Sequence, residues 1–141
     1  MIILDTNVLS EPLHARSEPA VLAWLAALTD TVALTAISVG EILTGVRLLP
    51  AGRRRDGLTD AIEKVLAVHA DQVLPYDEPA ARSYARLQES RRAAGHPLSV
   101  EDGMIAAICL ERGAVLATRN VKDFAGLGVE LINPWPNEVP Q

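Results

Sequence analysis

With 141 residues, of which 49% are hydrophobic and 22% charged, the chain has the size and balance of a globular domain and not of a disordered segment. Its formal net charge of −5 lacks the basic footprint usual in nucleic-acid binders. A single cysteine, Cys109, excludes an internal disulfide and fits a reducing compartment. No apolar run reaches the ~18 residues of a membrane span, and MIILDTN lacks a basic region ahead of a long apolar stretch, so a cytoplasmic protein is expected.

In chain order, MIIL (1–4) reads as a short buried strand ended by the turn-forming DTN. Ser17 caps a helix that runs to about Leu28, with Pro19 in its first turn. TVALTAI (31–37) is a β-branched second strand. Ser38 then starts a helix to about Leu49, which Pro50-Ala51-Gly52 stops. Residues 53–69 continue as a helix behind three arginines, and DQVLPY (71–76) gives a third strand. Asp77 caps a long helix to about Ala94, broken by Gly95-His96-Pro97. Ser99 begins a helix through Glu111 that ends at Gly113. AVLAT (114–118) and VELI (129–132) are the fourth and fifth strands, followed by a Pro-rich irregular tail. This alternation predicts an α/β fold with a parallel sheet and right-handed connections, forming one domain over residues 1–141. With only 4% aromatic residues, the core must be aliphatic, which suits a parallel sheet covered on both faces.

Four acids fall where a strand gives way to a helix or loop: Asp5, Glu41, Asp102 and Asp123. The carboxyl ends of parallel strands gather along one edge, so these distant segments can meet. Carboxylates gathered in this way repel one another unless a cation or a proton intervenes. Oxygen donors without Cys or His point to Mg²⁺ or Mn²⁺ and to a phosphodiester-cleaving site. Each acid also has a structural explanation. Ser38-Val39-Gly40-Glu41 matches a capping box, and Ser99-Val100-Glu101-Asp102 places Asp102 at the corresponding position. Asp5 can cap the segment after strand one, and Asp123 can hold an Asx-turn before Phe124. The convergence of the set, and no single member, carries the functional reading.

IILDTNVLSE, SVGEI, SVEDGMIAAI and ATRNVKDF…GVELINPW together resemble the PIN-domain ribonucleases. Within them the chain is similar to the VapC-type toxins of bacterial toxin–antitoxin pairs, and to their FitB-like branch. The resemblance covers essentially the whole chain. It implies a three-layer α/β/α fold with a five-stranded parallel sheet flanked by helices, and Mg²⁺ or Mn²⁺ held by acids. By motif, Asp5, Glu41 and Asp102 match three acidic core positions. The fourth falls to Asp123, sharing its role with Asn120, which stands where relatives often carry an acid. Thr6, Asn7 and Thr118 are expected to support the site.

The implied reaction is hydrolysis of RNA phosphodiester bonds by metal-activated water, with one or two ions. For RNA contacts the candidates are Arg53, Arg54 and Arg55, and a second set of Arg82, Arg86, Arg91 and Arg92 ahead of His96. Arg82 and Arg86, one helical turn apart, make the better shared surface. The resemblance also implies a cognate antitoxin that covers the acidic cleft, homodimerisation, and a toxin–antitoxin hetero-oligomer. Apolar helix faces at 58–69 and 103–111 could serve a dimer or the core. Three other readings stay open: a phosphate-accepting receiver domain, a catalytically weakened PIN-fold interaction module, and a DNA-directed nuclease. Cys109, flanked by Ile108 and Leu110, reads as a buried structural thiol, and His14, His69 and His96 lack metal-ligand spacing. Trp24 is expected in the core or at a partner surface, and Trp135 as an anchor of the tail.

Overall fold

The computed structural model describes residues 1–136, and the last residues of the Pro-rich tail lie outside the described residues. Five parallel strands, β1 (Ile2–Leu4), β2 (Val32–Thr35), β3 (Val73–Leu74), β4 (Val115–Ala117) and β5 (Leu131–Ile132), form one sheet in the order β3-β2-β1-β4-β5. β1 is central, with Ile2 opposite Val32 on one side and Val115 on the other. Succession runs outward from β1 to β3 and then jumps back across to β4. The topological switch point therefore lies between β1 and β4, where parallel sheets open a crevice at their carboxyl ends.

Alternate residues of β1 feed two aliphatic cores. Ile3 joins Leu116, Ile105, Ile108, Phe124 and Leu87 under helices α5 (Glu78–Ala93), α6 (Val100–Arg112) and α7 (Val121–Phe124). Ile2 and Leu4 join Val8, Leu34, Ile42, Val46 and Ile62 under α1 (Thr6–Ser10), α3 (Ala36–Arg47) and α4 (Arg53–Val68), with Val21 of α2 (Pro19–Ala26). Helices thus cover both faces, giving the expected three layers. Cys109 is fully buried in the first core, and burial pushes its thiol up to about 12, so it is inert as a nucleophile. Trp24 packs against the second core, and Trp135 is buried in it.

Several boundaries differ from the sequence reading. DTN does not end as a turn, because Asp5 caps α1 directly. Ser17 does not cap α2. Its hydroxyl donates to the carbonyls of Glu11 and His14, while Glu18 holds the cap and the buried Glu11 accepts the Glu18 N–H at 2.9 Å. α3 begins at Ala36, with Thr35 as its cap and Ser38 buried in the first turn, so no capping box forms at Ser38. β3 is shorter than 71–76, since Ala70–Gln72 forms a 3₁₀ turn. Asp77 and Ser99 do cap α5 and α6. The apolar faces of α4 and α6 are turned mainly into the cores.

α5 and α6 form the most extensive helix pair, and Gly103 permits their closeness. A Cβ on Gly103 would stand 2.7 Å from Tyr84 Cε2. That ring is held edge-on by Tyr76 at 6.2 Å and touched by Gln88, so it has little room to retreat. Gly103→Val is expected to destabilise the fold by about 1–3 kcal/mol through overpacking. Urea unfolding at equilibrium checks this.

Candidate active site

The carboxyl end of β1 runs straight into Asp5, and the end of β4 into Thr118. These two side chains bridge the switch point: Thr118 Oγ1 donates to Asp5 Oδ2 at 2.7 Å. Asp5 is only 6% exposed. Its other oxygen, Oδ1, accepts the Thr6 N–H at 2.9 Å, so the α1 cap and the site share one carboxylate. Thr118 Oγ1 also accepts the Asn120 N–H at 3.0 Å, which shapes the turn into α7.

The network continues on either side. Thr6 Oγ1 donates to Glu41 Oε1 at 3.2 Å, joining α1 to α3. Asn7 Oδ1 accepts the Arg119 N–H at 3.4 Å. Asp102 stands in the first turn of α6, where Ser99 Oγ accepts its N–H at 3.2 Å. Asp123 lies in α7, with its N–H donated to the carbonyl of Asn120. The side chain of Asn120 makes no cap, and only its backbone enters the network. Beyond the acids, Arg91 ties two approaching loops: Nε donates to the carbonyl of His96 at 2.8 Å and Nη1 to that of Ala125 at 3.0 Å.

The electrostatics show that the four acids converge. Burial raises Asp5 above the usual carboxylate range; the bonds from Thr118 and Thr6 pull it back, and the charge of Asp123 raises it further. Glu41 is raised by partial desolvation, then by Asp5, Asp102 and Glu101, against the pull of Thr6. Asp102 is raised by desolvation and by Asp5, Asp123 and Glu101, against Ser99. The charges that act on these three groups are all carboxylates. Among the described residues no three of them close into a preformed coordination set. They act on one another electrostatically at the carboxyl edge of the sheet, and a divalent cation taking hard oxygens is what this donor set could hold.

Two residues that the sequence reading did not single out belong to this region. Glu101 adds its charge to Glu41 and Asp102, and its adjacency to Asp102 was the available signal. Lys122, next to Asp123, is exposed at the edge of the acids. Arg82 and Arg86 lie elsewhere. Arg82 pairs with Glu78 at 2.9 Å, while Arg86 donates to Ser83 and sits 3.8 Å from Glu111. Glu111 stands in the last turn of α6, nine residues past Asp102 in the sequence, so this contact is roughly 13 Å along the helix from Asp102. The receiver reading fails on topology. β3 is an edge strand rather than a neighbour of β1, and Asp77 beyond it caps α5.

With this geometry in view, comparison with known proteins gives the class. A family model described as "PIN domain" matches residues 2–128. A VapC ribonuclease, Y4jK, of Sinorhizobium fredii is 42% identical over 96% of this chain and 98% of its own length. Toxin FitB of Neisseria gonorrhoeae is 39% identical over 96% of this chain and 99% of its own. Among solved structures, FitAB bound to an IR36 DNA fragment matches with a TM-score of 0.91 at 38% identity, covering 98% of each chain. The chain belongs to the PIN-domain family.

The raised carboxyls set a pH dependence. A carboxyl whose folded pKa exceeds its unfolded value adds stability as pH falls from neutral through the raised value, down to the ordinary carboxylate range near ~4. His69, lowered by burial, acts in the opposite sense below its ordinary value, so the informative quantity is a difference between proteins. In EDTA at pH 7.5, Asp102→Asn is expected to melt a few degrees above wild type, and the gap should close on acidification toward pH 5. Differential scanning calorimetry across that range measures it.

Proposed function

We propose that the chain is a single-domain, divalent-metal-dependent endoribonuclease, and that it acts as the toxin of a toxin–antitoxin pair. The carrying observation is the β1–β4 switch point, where Asp5, Glu41 and Asp102 are each raised by burial and by neighbouring carboxylates, Asp123 among them. Relatives named as a VapC ribonuclease and as toxin FitB, at about two-fifths identity over nearly the whole chain, support the ribonuclease and toxin reading.

Asp5, Asp102, Glu41 and Asp123 would hold Mg²⁺ or Mn²⁺, whose few direct protein ligands and retained waters suit a spread donor set. When bound, the cation supplies charge neutralisation at the scissile phosphate and acidifies water. The residues of the chain do the rest. Thr118 and the Thr6 N–H fix both oxygens of Asp5, so its charge faces the crevice in one orientation. The Thr6 hydroxyl fixes Glu41. Ser99, as the α6 cap, sets the turn that presents Asp102. Asn120 contributes its backbone N–H, and the fourth acidic role is assigned to Asp123, whose charge acts on Asp5 and Asp102. This argues against the weakened interaction module, since the set of four acids is complete without an acid at position 120.

Solved toxin–antitoxin complexes among the structural neighbours support a protein antitoxin as partner. A groove of about 620 Å³ beside Thr6 and Glu41, walled by Leu13, Ile42, Leu49 and Leu58, gives an antitoxin segment an apolar seat against the acids. Exposed Leu48 and Val100, at 80% and 51%, flank another hollow between α3 and α6 that suits a second copy of the chain. No helix among the described residues is long and apolar enough to cross a membrane.

RNA cleavage in Mg²⁺ or Mn²⁺ tests the activity. Asp5→Asn and Asp102→Asn are each expected to lower the rate roughly 10²-fold or more, and excess EDTA to abolish it. Equal rates in all three proteins, or activity that survives EDTA, would sink the reading. Single-stranded DNA cut as readily as RNA would move it to a DNA-directed nuclease. The bridge itself gives a separate expectation. Thr118→Val, which leaves Asp5 Oδ2 buried without its donor, should cost roughly 1–3 kcal/mol by chemical denaturation at neutral pH.

A further inference from the structure

On the Asp123 side of the acids, a groove of about 770 Å³ opens between the C-terminal end of α5, the loop at 94–97 and α7, with Ser90, Arg91, His96, Lys122 and Asp123 among its walls. Resting on the nuclease reading, we propose that this groove seats the single-stranded RNA backbone on one side of the scissile bond, with Lys122 as its phosphate contact.

Four observations carry the assignment. First, Asp123 belongs to both places: it lines the groove, and its charge acts on Asp5 and Asp102. A strand lying in the groove therefore meets Asp123, the acid whose charge reaches the other two. Second, Lys122 is exposed and makes no ion pair among the described residues, whereas Arg82 and Arg86 each have an acidic neighbour. In a chain of net charge −5, a lysine without an acidic partner on the Asp123 side of the acids is a cation placed to offset their repulsion of phosphate there, as Arg54 is on the Glu41 side. Third, the guanidinium of Arg91 is engaged by the carbonyls of His96 and Ala125, so it braces the two walls in one spacing. Fourth, Gly95 and Gly126 both stand at φ 78, in the left-handed region, with nothing within 4 Å of where a Cβ would lie. The backbone there is bare and open to close approach.

The opposite flank is mainly apolar, with Leu13, Ile42, Leu49 and Leu58 on its walls beside Arg54 and His14, and no glycine of positive φ opens its backbone to a strand. A hydrated ammonium on a flexible stem suits phosphate as a point charge and carries no sequence information. The groove thus sets where the strand runs and how salt-sensitive its binding is, and leaves base choice to other contacts.

The test is the affinity of a short fluorescent single-stranded RNA, read by anisotropy over a salt series with Ca²⁺ replacing Mg²⁺, alongside cleavage of the same RNA in Mg²⁺. Lys122→Ala is expected to weaken binding about threefold to tenfold at low salt, and to reduce the salt slope by about 0.7, one single-strand phosphate contact. Lys122→Arg should retain both values, and Arg82→Ala and Arg86→Ala should match wild type. Unchanged affinity and slope in Lys122→Ala, with wild type still cutting RNA, would overturn the groove and spare the nuclease. Equal weakening by Arg86→Ala would route the strand over α5 and also overturn it. A wild-type protein that neither binds nor cuts RNA would remove the nuclease reading, and the groove with it.

Discussion

One hydrogen bond, from the hydroxyl of Thr118 to the carboxylate of Asp5, holds the rest of the site in place. A carboxylate this deeply buried is costly unless its oxygens find donors, and the two that serve it come from opposite ends of the chain. Thr118 is there because β4 lies beside β1, and the Thr6 N–H is there because Asp5 caps α1. The same two threonines carry the network outward, Thr6 to Glu41 and Thr118 to the turn that leads to Asp123. The aliphatic cores on both faces fix the central strands, and the strands fix this pair. The other acids are positioned relative to it.

What surrounds the pair is asymmetric. Toward Glu41 the site is bordered mainly by apolar side chains of α3 and α4, with Arg54 among them, and toward Asp123 by backbone turns, a lysine and a bracing arginine. One mouth suits a hydrophobic peptide and the other a polyanion. The acid group stands between them, within reach of either. A peptide and a nucleic-acid strand could thus compete for the same four charges while resting on different ground.

The strands and their alternation with helices were readable from the chain because aliphatic, β-branched runs between Gly, Pro and Asp punctuation are local signals. Caps were legible where one candidate stood alone, as at Asp77 and Ser99. They were misread where two polar residues competed. Thr35 ends β2 in extended conformation, with its hydroxyl already aimed at the Ser38 N–H, so the helix starts earlier and Glu41 is released to meet Thr6. The neighbours of the arginines were only partly legible for a related reason. Their spacing was visible, but so was Glu78, four residues before Arg82, which claims it. The contact of Ser83 and Arg86 with Glu111 is tertiary and left no mark in the sequence. Convergence of the acids followed from strand order alone; which threonine serves which acid did not.

The span between Asp5 and Thr118 also orders events in time. The two residues are 113 positions apart, so β1 waits for a neighbour that leaves the ribosome long after it. At ~5–20 residues per second, that is an interval of about 6 to 23 seconds, during which β1 has only β2 to pair with. No N-terminal fragment that ends before β4 contains the switch point, and none can hold Asp5 between both of its donors. Completion of the site is thereby tied to the synthesis of β4, and a chain terminated before it carries Asp5, Glu41 and Asp102 without the frame that unites them.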